Sequence, residues 1–262
     1  MRVRDAARLM DKDSVGAATE LFQAMCVEAE FPVSERQAMQ FVLYGEWLRE
    51  WNERFNLTAI TEWKDIFVKH FLDSAYALIA VERTERVESV LDVGSGAGFP
   101  GLVWKLLRPD LRLTLCDSLR KRTQFLEFVI SGLELSDVVV VHARAEELAA
   151  KVEFRERFAT VTARAVARLP TLIELATPLV AVGGSFHALK GPTSMQEVDE
   201  AKRSLAVLRC ALKAVEHYVL PGGAGNRSVI TIAKTGATPA RFPRRPGDAG
   251  RHPIGVSEQE DQ

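Results

Sequence analysis

A glycine-rich segment, VLDVGSGAGFPG at residues 90–101, is the strongest sign of chemistry in this sequence. A predicted strand ends at Asp92, and Gly94, Gly96 and Gly98 then form a tight loop that leads into a helix. Glycine lets the backbone approach a ligand closely, and the free N–H groups of a helix N-terminus suit a carboxylate or phosphate. Because any tight turn needs glycine, the loop alone indicates only a place where a ligand could bind.

The spacing of the glycines separates two classes of cofactor. Dinucleotide-binding enzymes favour G-x-G-x-x-G, which places a pyrophosphate at the helix N-terminus. In this sequence an acidic residue precedes G-x-G-x-G, and this pattern resembles the S-adenosylmethionine loop of methyltransferases. We therefore expect S-adenosylmethionine as the cofactor, with Asp92 and the three glycines among its contacts.

Two positions after the next strands could hold the rest of this cofactor. Asp117 ends the second predicted strand and could accept hydrogen bonds from ribose hydroxyls, or Asp117 or Ser118 could be the N-cap of the next helix. Ala145 and Glu146 follow the third strand, where the loop would border the adenine mainly through backbone groups. The same AEE sequence is also an ordinary helix start, so both alternatives stay open.

Basic side chains suggest where a phosphate or the carbonyl edge of a base could bind. The fourth strand ends in VTARAVARLP, which carries Arg164 and Arg168; a salt bridge to a nearby carboxylate is the alternative for both. The tail segment RFPRRPGDAGRHP, residues 241–253, holds four arginines. Arg244 and Arg245 could contact nucleic-acid phosphates or could pair with surface carboxylates as a strap, and we expect the phosphate contact.

The first 85 residues predict helices. Ser34 followed by Gln37 fits a capping box, and an apolar stripe then runs to Phe55. The sequence NLTAI breaks the pattern before a second predicted helix at residues 64–79. We expect these helices to pack on the core.

From about residue 88, short apolar runs alternate with helical stretches, which predicts a parallel sheet covered by helices on both faces. The predicted strands lie near residues 89–93, 111–116, 137–142, 159–164, 184–190, 213–220 and 227–234. The linker PGGAGNRS is too short for a crossover helix, so the last two strands should form a hairpin with one antiparallel strand. This arrangement is the class I S-adenosylmethionine methyltransferase fold. The expected divisions are residues 1–85 (helices), 86–235 (core) and 236–262 (irregular, Pro/Arg-rich).

Composition limits the remaining possibilities. The net charge is −1, so a nucleic-acid site would have to be a local basic patch. The three cysteines are far apart, which favours reduced thiols in the cytoplasm, and neither they nor the histidines have metal-ligand spacing. No apolar run is long enough to span a membrane. We expect a cytoplasmic monomer without metal.

The sequence as a whole resembles the bacterial 16S ribosomal RNA guanine-N7 methyltransferase family, RsmG, also called the glucose-inhibited division protein B (GidB) family. The resemblance covers residues 34–252 and nothing is transferred to residues 1–33. The blocks that carry it, in family order, are EWNERFNLTAI, VKHFLDS, LDVGSGAGFPG, DSLRKRTQFL, ARAEEL, TARAVA, LKGP and RFPRRPG.

The resemblance implies methyl transfer to N7 of one guanosine in 16S ribosomal RNA of the small subunit. By position, it implies cofactor contacts at Gly94, Phe99, Ala145, Glu146 and Arg164. The resemblance also suggests that His70 and Asp73 of the second predicted helix face the substrate cleft, and structural hydrogen bonds are the alternative. Lys190 of the LKGP block, with Arg168 and the two tail arginines, completes the expected RNA contacts. Guanine N7 has a lone pair and no proton, so the reaction needs alignment of the groups more than a general base, and no catalytic residue is named.

Two other functions are compatible with parts of this pattern. One is a methyltransferase that acts on a small molecule or a protein, against which the basic tail argues. The other is a non-catalytic protein that binds a nucleotide with the same fold, against which the complete glycine loop together with Asp117 argues.

Overall fold

The computed structural model describes residues 12–28, 31, 33–192 and 194–256. Residues 1–11 and 257–262, for which the sequence predicts helix and irregular tail respectively, lie outside the described residues. Helices precede the sheet and then alternate with its strands. The α-helices are α1 (Lys12–Glu28), α2 (Glu35–Phe55), α3 (Trp63–Ile66), α4 (Asp73–Glu82), α5 (Gly101–Leu107), α6 (Arg120–Gly132), α7 (Ala145–Ala150), α8 (Leu169–Ala176), α9 (Ser194–Glu200), α10 (Lys202–Val207) and α11 (Asp248–Arg251).

One seven-stranded sheet forms the centre of the fold. Its strands are β1 (Ser89–Val93), β2 (Arg112–Asp117), β3 (Val138–His142), β4 (Phe158–Arg164), β5 (Val180–Lys190), β6 (Cys210–Leu220) and β7 (Gly225–Lys234). Their order is β3-β2-β1-β4-β5-β7-β6, and β7 is antiparallel to both neighbours. This order confirms the class I methyltransferase fold and its terminal hairpin.

The predicted strand positions are confirmed, but β5 and β6 begin earlier than expected. Val180 at the start of β5 pairs with Phe158 of β4, and the register shifts before Thr160 pairs with Ser185. Gly183 lies between them with φ of 88°, a conformation that favours glycine. Helix α8 ends at Ala176, because the chain already enters β5 at Val180.

Helix α2 begins with the predicted capping box. Ser34 Oγ accepts the backbone N–H of Gln37 at 3.3 Å, and Gln37 Oε1 accepts that of Ser34 at 3.0 Å. The helix ends at Phe55 because Asn56 adopts a left-handed conformation with φ of 49°. Local sequence thus determines both ends of this helix.

The second predicted helix is not continuous. Between α3 and α4 the chain forms a π-helix, Phe67–Leu72, whose wider turns change the direction in which later side chains point. The apolar pattern of residues 64–79 predicts helix but cannot reveal the extra residue per turn. π-Helical turns occur often at functional sites, and this one carries His70.

The N-terminal helices share one buried cluster with the sheet and α5. Tyr44 of α2 stacks on Phe99 with ring centroids 5.4 Å apart, and Phe71 contacts both rings. Trp104 of α5 is fully buried and donates from Nε1 to the carbonyl of Ser74 at 2.8 Å. Burial of each large apolar side chain contributes roughly 1.5–3 kcal/mol, so this contact is a major part of the packing energy.

The C-terminal tail is more ordered than its composition predicts. Arg155 donates to the carbonyls of Phe242 and Thr238 at 2.8 and 3.1 Å, and Phe242 is buried. The chain then forms the single turn α11, with Ala249 buried and its carbonyl bonded to Thr171. The expectation of an irregular tail without helix is wrong for α11, because contacts with α8 compensate for its poor local propensity.

No helix within the described ranges is both long and apolar enough to cross a membrane.

Candidate active site

An open cleft of about 470 Å³ lies where β1, β2, β3 and β4 end. Its lining includes Gly94, Asp117, Ala145 and Glu146, four of the residues that the sequence predicts as cofactor contacts. Parallel strands present their carboxyl ends at one edge, and ligands bind there when neighbouring strands lead to helices on opposite faces. The cleft has a volume typical of small-molecule sites, which are roughly 300–1,000 Å³.

The three loop glycines have different surroundings. All have positive φ, at 68°, 59° and 99° for Gly94, Gly96 and Gly98. A Cβ at Gly94 would lie 2.6 Å from a methyl group of Val166, and one at Gly98 would lie 2.4 Å from the Tyr44 hydroxyl. A Cβ at Gly96 would meet only the Gly94 carbonyl, at 3.9 Å. Gly94 thus lines the cleft, Gly98 packs against α2, and Gly96 lies in open space.

Asp117 links the end of β2 to the glycine loop. Its Oδ2 accepts the N–H of Gly96 at 2.9 Å, and its Oδ1 accepts that of Leu119 at 2.8 Å. The nearest guanidinium is that of Arg122, at 3.4 Å. The N-cap of α6 is Leu119, so the alternative that Asp117 or Ser118 caps the helix is wrong. Asp117 lines the cleft, where ribose contact stays a prediction.

Asp92 supports the same loop from behind and is not among the residues lining the cleft. Its side chain is fully buried, and Oδ2 accepts the N–H of Gly101 at 3.0 Å. Oδ1 has no hydrogen-bond partner among the described residues. Burial raises the pKa of this carboxyl to about 7, although the hydrogen bond from Gly101 acts in the opposite direction and lowers the pKa. The role that this geometry gives Asp92 is to hold the start of α5, and direct contact with the cofactor stays a prediction.

The tail reaches this cleft. Glu146 Oε1 accepts the N–H of Gly247 at 3.0 Å, and Gly247 and Gly250 are part of the lining. The sequence interpretation missed both glycines, although the PGDAG run that contains them is a turn signal. One side of the predicted adenine region is therefore formed by a distant part of the chain, since Gly247 lies 101 positions after Glu146.

The remaining predicted cofactor residues, Phe99 and Arg164, lie together in a second cluster, which we call the arginine cluster: His70, Asp73, Phe99 and Arg164. The guanidinium carbon of Arg164 is 4.9 Å from the centre of the Phe99 ring, and the His70 ring stacks on the same phenyl ring at 4.4 Å between centroids. Neither Phe99 nor Arg164 is part of the cleft lining, and their contact with the cofactor stays a prediction.

Hydrogen bonds fix the orientation of the polar groups in the arginine cluster. Arg164 donates to Asp73 Oδ2 at 3.0 Å, to the Lys69 carbonyl at 3.1 Å and to His70 Nδ1 at 2.9 Å. Since arginine only donates, His70 Nδ1 is the acceptor and its Nε2 carries the proton toward Thr58. Burial and the neighbouring guanidinium lower the pKa of His70 to about 3, so the ring is neutral. The structural hydrogen bonds foreseen for His70 and Asp73 are present.

Two of the expected RNA contacts pair with glutamates of α9. Lys190 is mostly buried and lies 2.7 Å from Glu197, which also accepts the N–H of Leu169 at 2.6 Å. Arg168 pairs with Glu200 and keeps more than half of its side chain exposed. The salt-bridge alternative is therefore present for Arg168, and Arg164 likewise pairs with Asp73. In this arrangement Lys190 has little surface to offer to RNA.

The two tail arginines differ. Arg244 donates from Nε and Nη2 to Glu174, at 2.8 and 2.5 Å, and the Glu174 side chain is 1% exposed. This geometry supports the strap alternative, because the guanidinium compensates a buried carboxylate, and phosphate contact at Arg244 stays a prediction. Arg245 is exposed, and its contact with RNA stays a prediction.

In the part of the chain that the structure describes, no three His, Cys, Asp or Glu side chains are grouped to hold a metal ion.

A family model described as "rRNA small subunit methyltransferase G", GidB, matches residues 37–227 of this chain. A "Ribosomal RNA small subunit methyltransferase G" from Geobacillus thermodenitrificans is 44% identical over 233 residues, which are 89% of this chain and 98% of the relative. A protein of the same name from Bacillus cereus is 45% identical over 235 residues, 90% of this chain and 98% of that protein.

Among solved structures, a mutant of the protein MtNAS matches with a TM-score of 0.50 and 16% identity, covering 89% of this chain and 81% of that one. At this identity the likeness concerns the fold alone.

Proposed function

Since this chain belongs to the small-subunit rRNA methyltransferase G (GidB) family, we propose that it transfers the methyl group of S-adenosylmethionine to N7 of a guanosine in 16S rRNA. The observation that carries the proposal is the match to relatives of this name along almost their whole length. The small ribosomal subunit or its RNA is the proposed partner, and the cytoplasm is the proposed place of action.

The residues around the cleft fit S-adenosylmethionine. Gly94 leaves the backbone open where the methionine end would approach, and any Cβ there would collide with Val166. Asp117 ends β2 with a carboxylate directed at the loop, in position for a ribose. Ala145 and Glu146 border the far end, suited to adenine, with Gly247 of the tail beside them.

When bound, this cofactor supplies an electrophilic methyl group. Guanine N7 offers a lone pair and bears no proton, so the protein has to align and enclose the reactants. Arg164 is held by hydrogen bonds to Asp73, His70 and the Lys69 carbonyl, and its guanidinium lies over the Phe99 ring, 4.9 Å from the ring centre. Such fixed orientation reduces the entropy lost in reaching the reactive geometry.

Because the reaction needs no proton transfer, His70 is not required as a general base. With its pKa lowered to about 3 by burial and Arg164, the ring is neutral over the physiological range. It accepts a hydrogen bond from Arg164 and thereby orients the guanidinium. We propose a positioning role for His70, in which its titration does not enter the reaction.

Mass mapping of 16S rRNA from cells that lack this protein tests the proposed function. One guanosine should lose a methyl group, and the purified protein with S-adenosylmethionine should restore it on isolated small subunits. The proposal fails if the RNA from both strains has the same modifications, or if the restored methyl group is not at N7.

A further inference from the structure

A second pocket lies beside the arginine cluster, and we call it the hairpin pocket. Its lining residues are Gly191, Pro192, His217, Tyr218, Val219, Asn226 and Arg227. Its volume is about 410 Å³. It is formed by the end of β5 and by the hairpin that joins β6 to β7. His217 and Asn226 are exposed at its rim, while Tyr218 and Arg227 are partly buried.

The hairpin pocket opens at the same edge of the sheet as the cofactor cleft. Arg164 at the end of β4 pairs in register with Leu189 of β5, and Leu189 pairs with Val229 of β7. Two strand steps therefore separate Arg164 from β7, about 10 Å at the usual strand spacing. The cofactor cleft lies on one side of Arg164 and the hairpin pocket on the other.

One buried carboxylate joins the two sides. Asp73 Oδ2 accepts from Arg164 at 3.0 Å, and Asp73 Oδ1 accepts from the Tyr218 hydroxyl at 2.8 Å. Arg227 Nε lies 3.8 Å from the same Oδ1. Tyr218 and Arg227 are cross-strand partners in the hairpin, so Asp73 fixes this strand pair and the cofactor-side arginine together.

The charges of this region leave a local excess of positive charge. Two guanidinium groups, Arg164 and Arg227, share the single carboxylate of Asp73, and His70 is neutral. The Nη1 group of Arg227 donates to the Asn226 carbonyl at 2.9 Å, whereas no described residue accepts from its Nη2. On a chain of net charge −1, this available donor is suited to an anion.

We propose that the hairpin pocket binds the phosphate backbone of the substrate RNA next to the methylated guanosine, with Arg227 as the phosphate contact. This inference rests on the proposed function. Phosphate contacts fix the register of a nucleic acid on a protein without reading its bases, and arginine forms the strongest of them. A phosphate held in this pocket would orient the RNA so that the guanosine lies toward Arg164 and the cleft.

The test uses the full chain and small ribosomal subunits from cells that lack this protein. Arg227→Gln removes the charge, and we expect a severalfold higher KM for the subunits, an almost unchanged kcat, and a log K versus log salt slope flatter by about one. Affinity for S-adenosylmethionine, measured by calorimetry, should stay the same. Arg227→Lys should recover part of the RNA affinity because it restores the charge.

Loss of Arg227 also disturbs Asp73, so a second variant separates binding from folding. Asn226→Asp places a negative charge on the exposed rim without touching Asp73, and it should weaken binding of the subunits with the melting temperature unchanged. Arg112→Gln is the matched control, because Arg112 is exposed at the start of β2, at the opposite end of the strands. It should change neither KM nor salt slope.

The outcomes distinguish the two proposals. If the wild-type protein does not methylate the subunits, the proposed function fails. If it does, and Arg227→Gln and Asn226→Asp behave like Arg112→Gln, the hairpin pocket does not bind RNA and this inference alone is overturned. A fall in kcat with KM and salt slope unchanged would overturn it as well, because it would show that Arg227 only supports Asp73.

Discussion

Two buried carboxylates hold the glycine loop from opposite sides. Asp117 accepts the Gly96 N–H at the cleft, and Asp92 accepts the Gly101 N–H behind it. These two contacts restrain the backbone on both sides of the loop, in the conformation that its positive φ angles require. Asp117 and Asp92 therefore hold the loop in place through its backbone, and neither role requires contact with a methyl group.

The first prediction concerns the open position in this loop. Gly96→Asp introduces a side chain at φ of 59° and a negative charge beside Asp117. We expect loss of S-adenosylmethionine binding in calorimetry while the protein stays folded, because a Cβ there meets no packed atom. Gly183→Asp is the control, since Gly183 also has positive φ and open surroundings but lies far from the cleft. Normal cofactor affinity in folded Gly96→Asp would show that the loop is not the cofactor site.

The second prediction concerns the buried carboxyl of Asp92. Its pKa is raised by burial from 3.8 to about 7, so the unfolded chain releases this proton more readily than the folded one. The stability that the raised pKa provides is fully present below about pH 4 and is lost as the pH rises through about 7. Asp92→Asn cannot ionise, so its free energy of unfolding relative to wild type should increase between pH 4 and 7, by at most roughly 4 kcal/mol.

Thermal unfolding of wild type, Asp92→Asn and the exposed control Asp110→Asn across this pH range measures the effect. The difference between wild type and Asp92→Asn should level off above pH 7, where the wild-type group is already ionised. A difference that is constant from pH 4 to 8 would contradict the raised pKa.

At the scale of elements, helix α9 covers the end of β5 with acidic side chains. Its Glu197 and Glu200 pair with Lys190 and Arg168, two of the cations expected to contact RNA. Glu197 also accepts the N–H of Leu169 and so supports the start of α8. The glutamates of α9 thus neutralise two basic side chains that would otherwise be available to bind a phosphate.

We therefore expect Glu200→Gln to strengthen binding of small ribosomal subunits. The change frees the exposed Arg168 guanidinium, so the dependence of affinity on salt should become steeper by about one. Asp199→Asn on the same helix, where Asp199 pairs with Lys202, should leave RNA affinity nearly unchanged. If filter binding gives the two variants the same affinity and the same salt dependence, Arg168 does not contact the RNA.

The tail segment connects two parts of the fold through Arg244. Arg244→Gln leaves Glu174, which is almost fully buried, without its charged partner, and we expect a loss of roughly 1–3 kcal/mol of stability in denaturant unfolding. The salt dependence of RNA binding should not change. Arg245→Gln, at the exposed neighbouring position, should show the reverse pattern: little change in stability and a flatter salt slope. If Arg244→Gln flattens the slope and leaves stability intact, the strap interpretation is wrong.

At the scale of the whole molecule, the N-terminal helices and the sheet lack separate cores. Tyr44, Phe71 and Phe99 pack together although they come from α2, the π-helix and the glycine loop. Asp73, at the start of α4, bonds to side chains of β4 and β6. Displacing these helices would expose the apolar cluster and disrupt the arginine cluster together.

We expect the full chain to unfold in one cooperative transition and a fragment of residues 1–85 to remain unfolded. Circular dichroism and calorimetry of the fragment and the full chain measure this. A cooperative melting transition of the isolated fragment would show that the helices form an independent domain.

Features that depend on near neighbours could be predicted from the amino-acid sequence alone. The seven strands, the capping box of α2 and the hairpin follow from periodicity and turn chemistry within about a dozen residues. The acidic residue and the glycine spacing of residues 90–101 predict a cofactor loop in the same local way. The parallel direction of the first five strands follows from the helices that connect them, and the reversal at the hairpin follows because the final linker is too short for a crossover helix.

The pairing of charged groups, in contrast, depends on how distant segments pack. Arg244 and Glu174 are 70 positions apart, and Gly247 meets Glu146 across 101 positions. Each of these side chains could equally well have faced solvent or RNA, because a charge carries no periodicity that would reveal its partner. An arginine pairs with a carboxylate that the fold has buried, because an unpaired buried charge is costly, and which carboxylates are buried depends on the assembled fold. For this reason the glycine loop and its position after β1 could be predicted from the sequence, whereas the pairing of Arg244 with Glu174 became visible only in three dimensions.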